Sequence, residues 1–203
     1  MGCLKFIIRV VIIILAIIGF KALGGWDFVK EHWPVFEKPT QEALQEKSKS
    51  VADFSDISDE YEIDKTANLL GYKAVLAEHK ASGQKLVVLN PGKKALITKK
   101  DFNDGSLEKK LIELNDKFAY QFIRLENLKI TKQGNFTTMG QTVPYARFEA
   151  DVVNLPIGKI QGMIAVSEYK EDKEEKSKVL LSANDSDKYS QIITEQFFSK
   201  VKW

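Results

Sequence analysis

Cysteine, histidine, arginine and glycine motifs are what this sequence has least of, and each shortage removes a class of function. A single cysteine, Cys3, stands among 203 residues. An internal disulfide, a cysteine-based zinc site and a dithiol redox pair are therefore excluded. The two histidines, His32 and His79, are far apart and fit no ligand spacing, so no metal site is expected. Arginine occurs at positions 9, 124 and 147 only, which leaves the body of the chain without a guanidinium-rich face for phosphates. Nucleic acid is not an expected partner. The 12 glycines form neither a Gly-x-x-x-x-Gly-Lys loop nor a Gly-x-Gly-x-x-Gly turn, so no nucleotide and no cofactor is expected. Asn90-Pro91-Gly92-Lys93-Lys94 reads as a turn with its lysines in water, and no Gly-x-Ser-x-Gly elbow is present.

Acidic residues are missing from the first 26 positions, whereas Lys5, Arg9 and Lys21 fall there. Of the 30 basic groups, 27 are left after Lys21 against all 28 acidic ones, so the remainder of the chain has a net charge of −1. Between the basic residues lies an uninterrupted apolar run over positions 10 to 20. At 1.5 Å per residue that run covers only about 16 Å of a bilayer core of about 30 Å, the length of a signal-sequence core. If Arg9 and Lys21 snorkel to the two interfaces, Phe6 through Trp26 extends to roughly 31 Å and spans as a transmembrane helix. Trp26, Phe28, Trp33 and Phe36 follow directly and supply aromatic side chains at headgroup level. Residues 1–26 are thus read as a membrane anchor or signal sequence. Arg9, Lys21, Trp26, Phe28, Trp33 and Phe36 are the expected membrane-interface residues. The positive-inside rule places the N-terminus in the cytoplasm and the C-terminal domain outside, as a single-pass, extracytoplasmic protein. Ala22 and Gly24 also suit cleavage after Gly24, which would release a secreted form. Cys3 precedes the apolar run, and Phe6 stands where myristoylation needs Ser or Thr, so neither lipid motif is met.

Residues 27–60 read as the aromatic juxtamembrane segment followed by a polar stretch, helical in part from Thr40. That stretch is either a stalk or a first helix packed on the domain. Residues 61–203 read as the globular domain. Tyr72 to Glu78 and Lys85 to Leu89, joined at Ala81-Ser82-Gly83, have the pattern of a β-hairpin, and Ala95 to Thr98 is expected as a third strand. Leu107, Leu111, Leu114 and Phe118 form one apolar stripe at helical spacing. Strands are expected over Leu125 to Thr131, Val143 to Val152, Ile160 to Val166 and Lys178 to Ser182. Gly134-Asn135 and Leu155 to Gly158 serve as connections, and the charged run 170–176 as a solvated hairpin tip. A closing helix is expected from about Ser186, carrying Tyr189, Ile193, Phe197 and Val201 four apart. Strands in runs rather than alternating with helices predict an α+β fold, an antiparallel sheet flanked by helices.

The order of hairpin, helix, antiparallel meander and C-terminal helix is similar to that of the Mog1/PsbP-like family of α/β/α domains. The closing stretch Val179-Leu180-Leu181-Ser182-Ala183, then Tyr189-Ser190-Gln191-Ile192-Ile193 and Phe197-Phe198, resembles that family's last strand and helix. The resemblance covers about residues 70 to 203 and implies an accessory role exercised by protein contact, with no catalytic motif to carry over.

No catalytic constellation is readable. Glu149 and Asp151 share one face of a strand at i and i+2, a spacing that alternation already explains as the solvent side of a sheet. With His79 they are the residues a hydrolase reading would have to use. The expected function is a membrane-anchored, non-enzymatic extracytoplasmic domain that binds a protein or envelope component. The alternatives are the same domain secreted after cleavage, or a hydrolase.

Overall fold

Seven strands and four helices build the domain in the computed structural model, which describes residues 40–69, 72–92, 95, 97–118, 124–153, 158–171 and 174–203. The expected anchor and the interface residues Arg9, Lys21, Trp26, Phe28, Trp33 and Phe36 lie outside the described residues. No helix among the described residues is long and apolar enough to cross a membrane.

The elements run in the order α1 (Gln41–Ser48), β1 (Tyr61–Leu69), β2 (Tyr72–His79), β3 (Lys85–Asn90), α2 (Lys99–Asn103), α3 (Leu107–Phe118), β4 (Arg124–Thr138), β5 (Gln141–Val153), β6 (Gly158–Glu171), β7 (Glu174–Asp185) and α4 (Gln191–Lys200). The strands form one seven-stranded sheet in the order β1-β2-β3-β7-β6-β5-β4, antiparallel at every pairing. The chain lays down β1 to β3, crosses through α2 and α3 to the far edge, and returns as a four-stranded meander whose last strand closes on β3. This is the α+β class with an antiparallel sheet flanked by helices.

Each face of the sheet has its own apolar layer. On one face Val75, Ala77, Leu86, Val88, Val143, Tyr145, Met163, Ala165 and Leu180 are covered by Leu44 of α1 and by Phe197 and Phe198 of α4. On the other, Leu76, Val87, Leu89, Ala146, Ile164 and Val166 are covered by Phe102 of α2 and by Leu107, Leu111 and Leu114 of α3. The stripe at 107, 111 and 114 is thus the buried face of α3. A strictly alternating strand between two helical layers is apolar on both faces, which the near-continuous burial of β2 and β3 shows.

One open reading is resolved, and three features depart from the sequence reading. Of the two readings of the polar stretch, the packed helix is the one seen: Leu44, Val51 and Phe54 are buried, and Asp53 pairs with Lys202. The Thr40 hydroxyl caps the start of α1. A first strand, β1, precedes the expected hairpin. Of the expected strand Ala95 to Thr98, the described residues 95, 97 and 98 are not in a strand, and Asp101 reaches back to the Thr98 N–H at 2.7 Å and starts α2 there. Finally, β4 runs through Gly134-Asn135. Its turn is Met139-Gly140, both with positive φ (51° and 70°), the two left-handed central residues of a type I′ hairpin closed by the pair Thr138 and Gln141.

Candidate functional site

β5 carries the feature that sets one region of the sheet apart. Its odd-numbered residues face the α4 layer: Val143 and Tyr145 are buried in the apolar core there, but Arg147, Glu149 and Asp151 continue the same face as half-buried polar groups. Their cross-strand partners on β4 are Lys132, Lys129 and Glu126, and on β6 Gln161 lies opposite Glu149. A polar trough is formed beside α4, at the β4–β5 side of the sheet.

Within it the side chains are strung together. Lys129 Nζ lies 3.4 Å from Glu149 Oε2, Gln161 Nε2 donates to Glu149 Oε1 at 3.2 Å, and Arg147 Nη2 donates to Gln161 Oε1 at 3.0 Å. At the far end Asn127 Nδ2 donates to Asp151 Oδ2 at 2.6 Å. The Arg147 guanidinium lies over the Tyr189 ring, 5.5 Å from its centroid. Its Nε is buried without a hydrogen-bond acceptor among the described residues. Gln191 Nε2 bridges Tyr145 Oη at 3.1 Å and Glu195 Oε1 at 2.6 Å, forming the α4 wall.

Tyr189 is held from beneath by a buried polar network. Gln84 donates to the Ser190 carbonyl at 2.9 Å and to Thr194 Oγ1 at 2.7 Å, and accepts from the Ser190 N–H at 2.8 Å. Thr194 Oγ1 in turn has Ser182 Oγ at 2.9 Å and Tyr189 Oη at 3.3 Å. Burial pushes the Tyr189 phenol above its ordinary value, with the hydrogen bonds to Ser182 and Thr194 and the Arg147 charge working against it. Tyr189 therefore stays neutral and serves as a platform for the guanidinium.

The structure separates the residues a hydrolase would need. Glu149 and Asp151 share the trough, but His79 lies on β2, with β3, β7 and β6 between it and β5. Four inter-strand steps put the two strands roughly 19 Å apart. His79 Nδ1 is 2.9 Å from Ser82 Oγ and accepts from the Ser82 N–H at 3.3 Å, which closes the hairpin turn, and its ring packs on Tyr61 at 5.1 Å. Among the described residues no three His, Cys, Asp or Glu side chains come together in a metal-binding group. Asn90 Oδ1 accepts from the Gly92 N–H at 3.0 Å, the turn expected there.

Sequence reasoning passed over Arg147, Gln161, Tyr189, Gln191, Gln84 and Thr194. The available signal was Arg147 itself, one of two arginines outside the N-terminal segment, at a polar position of a strand whose earlier residues on that face are apolar. A guanidinium supported on an aromatic ring and bonded on one side offers its remaining N–H groups to a carboxylate or another planar oxyanion. Lys132, exposed directly across the ladder, adds a second positive charge. No protein-family model and no curated protein matches the chain.

Proposed function

We propose that this chain is a membrane-anchored extracytoplasmic domain that acts by binding a protein or envelope component, and that the trough centred on Arg147 is where it binds. The observation that carries the reading is the Arg147 guanidinium, laid on Tyr189 and tied to Gln161, with a buried Nε that has no acceptor among the described residues. The residue is half-buried, so an incoming oxygen would meet its terminal N–H groups and not the solvent-excluded Nε. The partner is accordingly expected to present a carboxylate or similar oxyanion. The anchor reading rests on Lys5, Arg9 and the apolar run of positions 10 to 20. The resemblance to Mog1/PsbP-like domains, which act by protein contact, supports the same role.

The test is capture in intact cells with a photo-crosslinking side chain at Lys132, against a control carrying the N-terminal segment alone. A specific neighbour recovered with the full chain and lost with Arg147→Met, in protein whose thermal melt is unchanged, is the expected result. Recovery of nothing above the control, or of the same neighbour with Arg147→Met, overturns the assignment. Peptides spanning Phe6 to Trp26 in the membrane fraction check the anchor independently.

A further inference from the structure

The two outer strands of the sheet are guarded unequally. At β1, Gln41 of α1 donates to the Ile63 carbonyl at 3.3 Å. On the first half of β4, α3 does the same work: Asn115 accepts from the Leu125 N–H at 3.2 Å and donates to the Leu125 carbonyl at 2.9 Å, and Glu108 Oε2 accepts from the Ile130 N–H at 2.7 Å. These contacts identify Leu125 and Ile130 as residues whose backbone groups point away from β5. Beyond the irregularity between Ile130 and Lys132, the alternation of an antiparallel ladder turns Gln133, Asn135 and Thr137 outward. Pro144 agrees with that phase, because it stands opposite Asn135 and has no N–H to give to β4. Among the described residues no side chain bonds the backbone groups of Gln133, Asn135 or Thr137, and all three side chains are exposed.

We propose that this free edge pairs with the same edge of a second copy, antiparallel about a two-fold axis through Asn135, so that the two seven-stranded sheets become one. The run is self-complementary in this register. Asn135 meets Asn135 of the second copy, and Gln133 meets Thr137, so every outward residue exchanges both of its backbone bonds. Lys132 is the only charged residue between Thr131 and Thr138; it falls opposite Thr138, and no like charges face each other. On the α4 side Phe136 falls opposite Gly134, which has no side chain to exclude it. The free run is bounded on one side by the α3 caps and on the other by the Met139-Gly140 turn, which sets the same length in both copies. The axis is normal to the sheet, so α1, with Thr40 at its start, lies on the same face in both. Two chains anchored in one membrane require that arrangement; the pairing itself does not depend on the Arg147 reading.

The experiment uses the full chain in nonionic detergent. Sedimentation velocity over a wide concentration range is expected to show a monomer–dimer equilibrium, with the dissociation constant raised at least roughly tenfold by Asn135→Pro, which deletes an outward N–H without touching the β5 ladder. Asn135→Lys, which keeps the N–H but opposes two ammonium groups, is expected to act the same way and covers the case in which the proline variant does not fold. In a Cys3→Ser background, Asn135→Cys should give a covalent dimer with a short bismaleimide and Asp187→Cys, in the exposed turn before α4, should not. A chain that stays monomeric throughout, a dimer that both Asn135 variants leave intact, or crosslinking equal at the two positions overturns the proposal. Monomer together with successful partner capture would sink this pairing and leave the binding reading standing.

Discussion

The ring of Phe148 lies against the bare Cα of Gly162, directly opposite it across the β5–β6 ladder. A Cβ built on Gly162 would stand 2.4 Å from Phe148 Cζ and 2.4 Å from the Ser182 carbonyl oxygen, on the next strand. Gly162 is therefore a packing requirement, with an aromatic ring filling the space its side chain leaves. Gly162→Ala is expected to cost about 3 kcal/mol in chemical denaturation, the upper range for overpacking a core. Adding Phe148→Leu should recover only part of it, because the Ser182 carbonyl is backbone and remains in the way. A Gly162→Ala loss under about 0.5 kcal/mol would mean that the strands part without strain.

Gln84 docks the start of α4 on the sheet with both ends of one buried amide. Replacing it with leucine leaves the Ser190 N–H without its acceptor and takes one hydrogen bond each from the Ser190 carbonyl, which keeps the Thr194 N–H, and from Thr194 Oγ1, which keeps Ser182 Oγ. Gln84→Leu is expected to lower stability by about 1 to 3 kcal/mol, since one buried N–H is orphaned and two further hydrogen bonds are lost, whereas Thr194→Val should cost about 1 to 2 kcal/mol. Because the network also seats Tyr189, Gln84→Leu should weaken partner capture as Arg147→Met does. A Gln84→Leu protein as stable as the parent would show that water satisfies the groups Gln84 now holds.

What the sequence disclosed follows the two periodicities, and what it concealed lies where packing overrides them. The hairpin over Tyr72 to Leu89 and the helix over Leu107 to Phe118 were legible because each has an uninterrupted period. β1 was not. The irregularity between Ile63 and Lys65 sends Ile63 to one apolar layer and Ala67 to the other, and so breaks the alternation. Gly134 looked like a turn, but it stands in mid-strand with the Tyr145 ring over it, so that a Cβ there would lie 2.9 Å from Tyr145 Cε1. The true turn was hidden because Met139, not glycine, takes the first positive φ. In the trough, Glu149, Asp151 and Arg147 were readable as one polar strand face. Tyr189 and Gln191 belong to the same trough only because α4 folds back over the sheet, and no spacing in the sequence encodes that.

Asp101 makes the stability of the α2 corner depend on pH. Burial disfavours its carboxylate, but hydrogen bonds from Lys110 and from the Thr98 N–H and hydroxyl, together with the Lys110 charge, outweigh it and hold the pKa below the ordinary value. A carboxyl depressed in the folded state contributes stability that is present above its unfolded pKa of about 3.9 and is lost as pH falls through the folded value. Asp101→Asn is therefore expected to cost about 1 to 2 kcal/mol near neutral pH, with the gap from the parent closing below about pH 4. Denaturation at several pH values measures this. A gap that stays constant down to pH 3 would assign the loss to amide geometry instead of charge.

The caps that α3 places on β4 can be separated from the ladder by hydrogen exchange. In the parent, the Leu125 and Ile130 amides point away from β5, and among the described residues they are bonded by Asn115 and Glu108. Those amides should be protected, and the outward amides of Gln133, Asn135 and Thr137 should exchange quickly in dilute protein. Asn115→Ala is expected to expose the Leu125 amide selectively at a cost of about 1 kcal/mol, and Glu108→Ala the Ile130 amide at a similar cost, with the inward-facing Phe136 amide unchanged. Leu125 and Ile130 lie outside the paired run, because the second copy turns at Met139-Gly140 where Ile130 would need a partner, so neither variant should change self-association. If Asn115→Ala leaves Leu125 protected, the amide is held by something other than α3, and the phase of outward residues along β4, with the two-fold register built on it, would have to be redrawn.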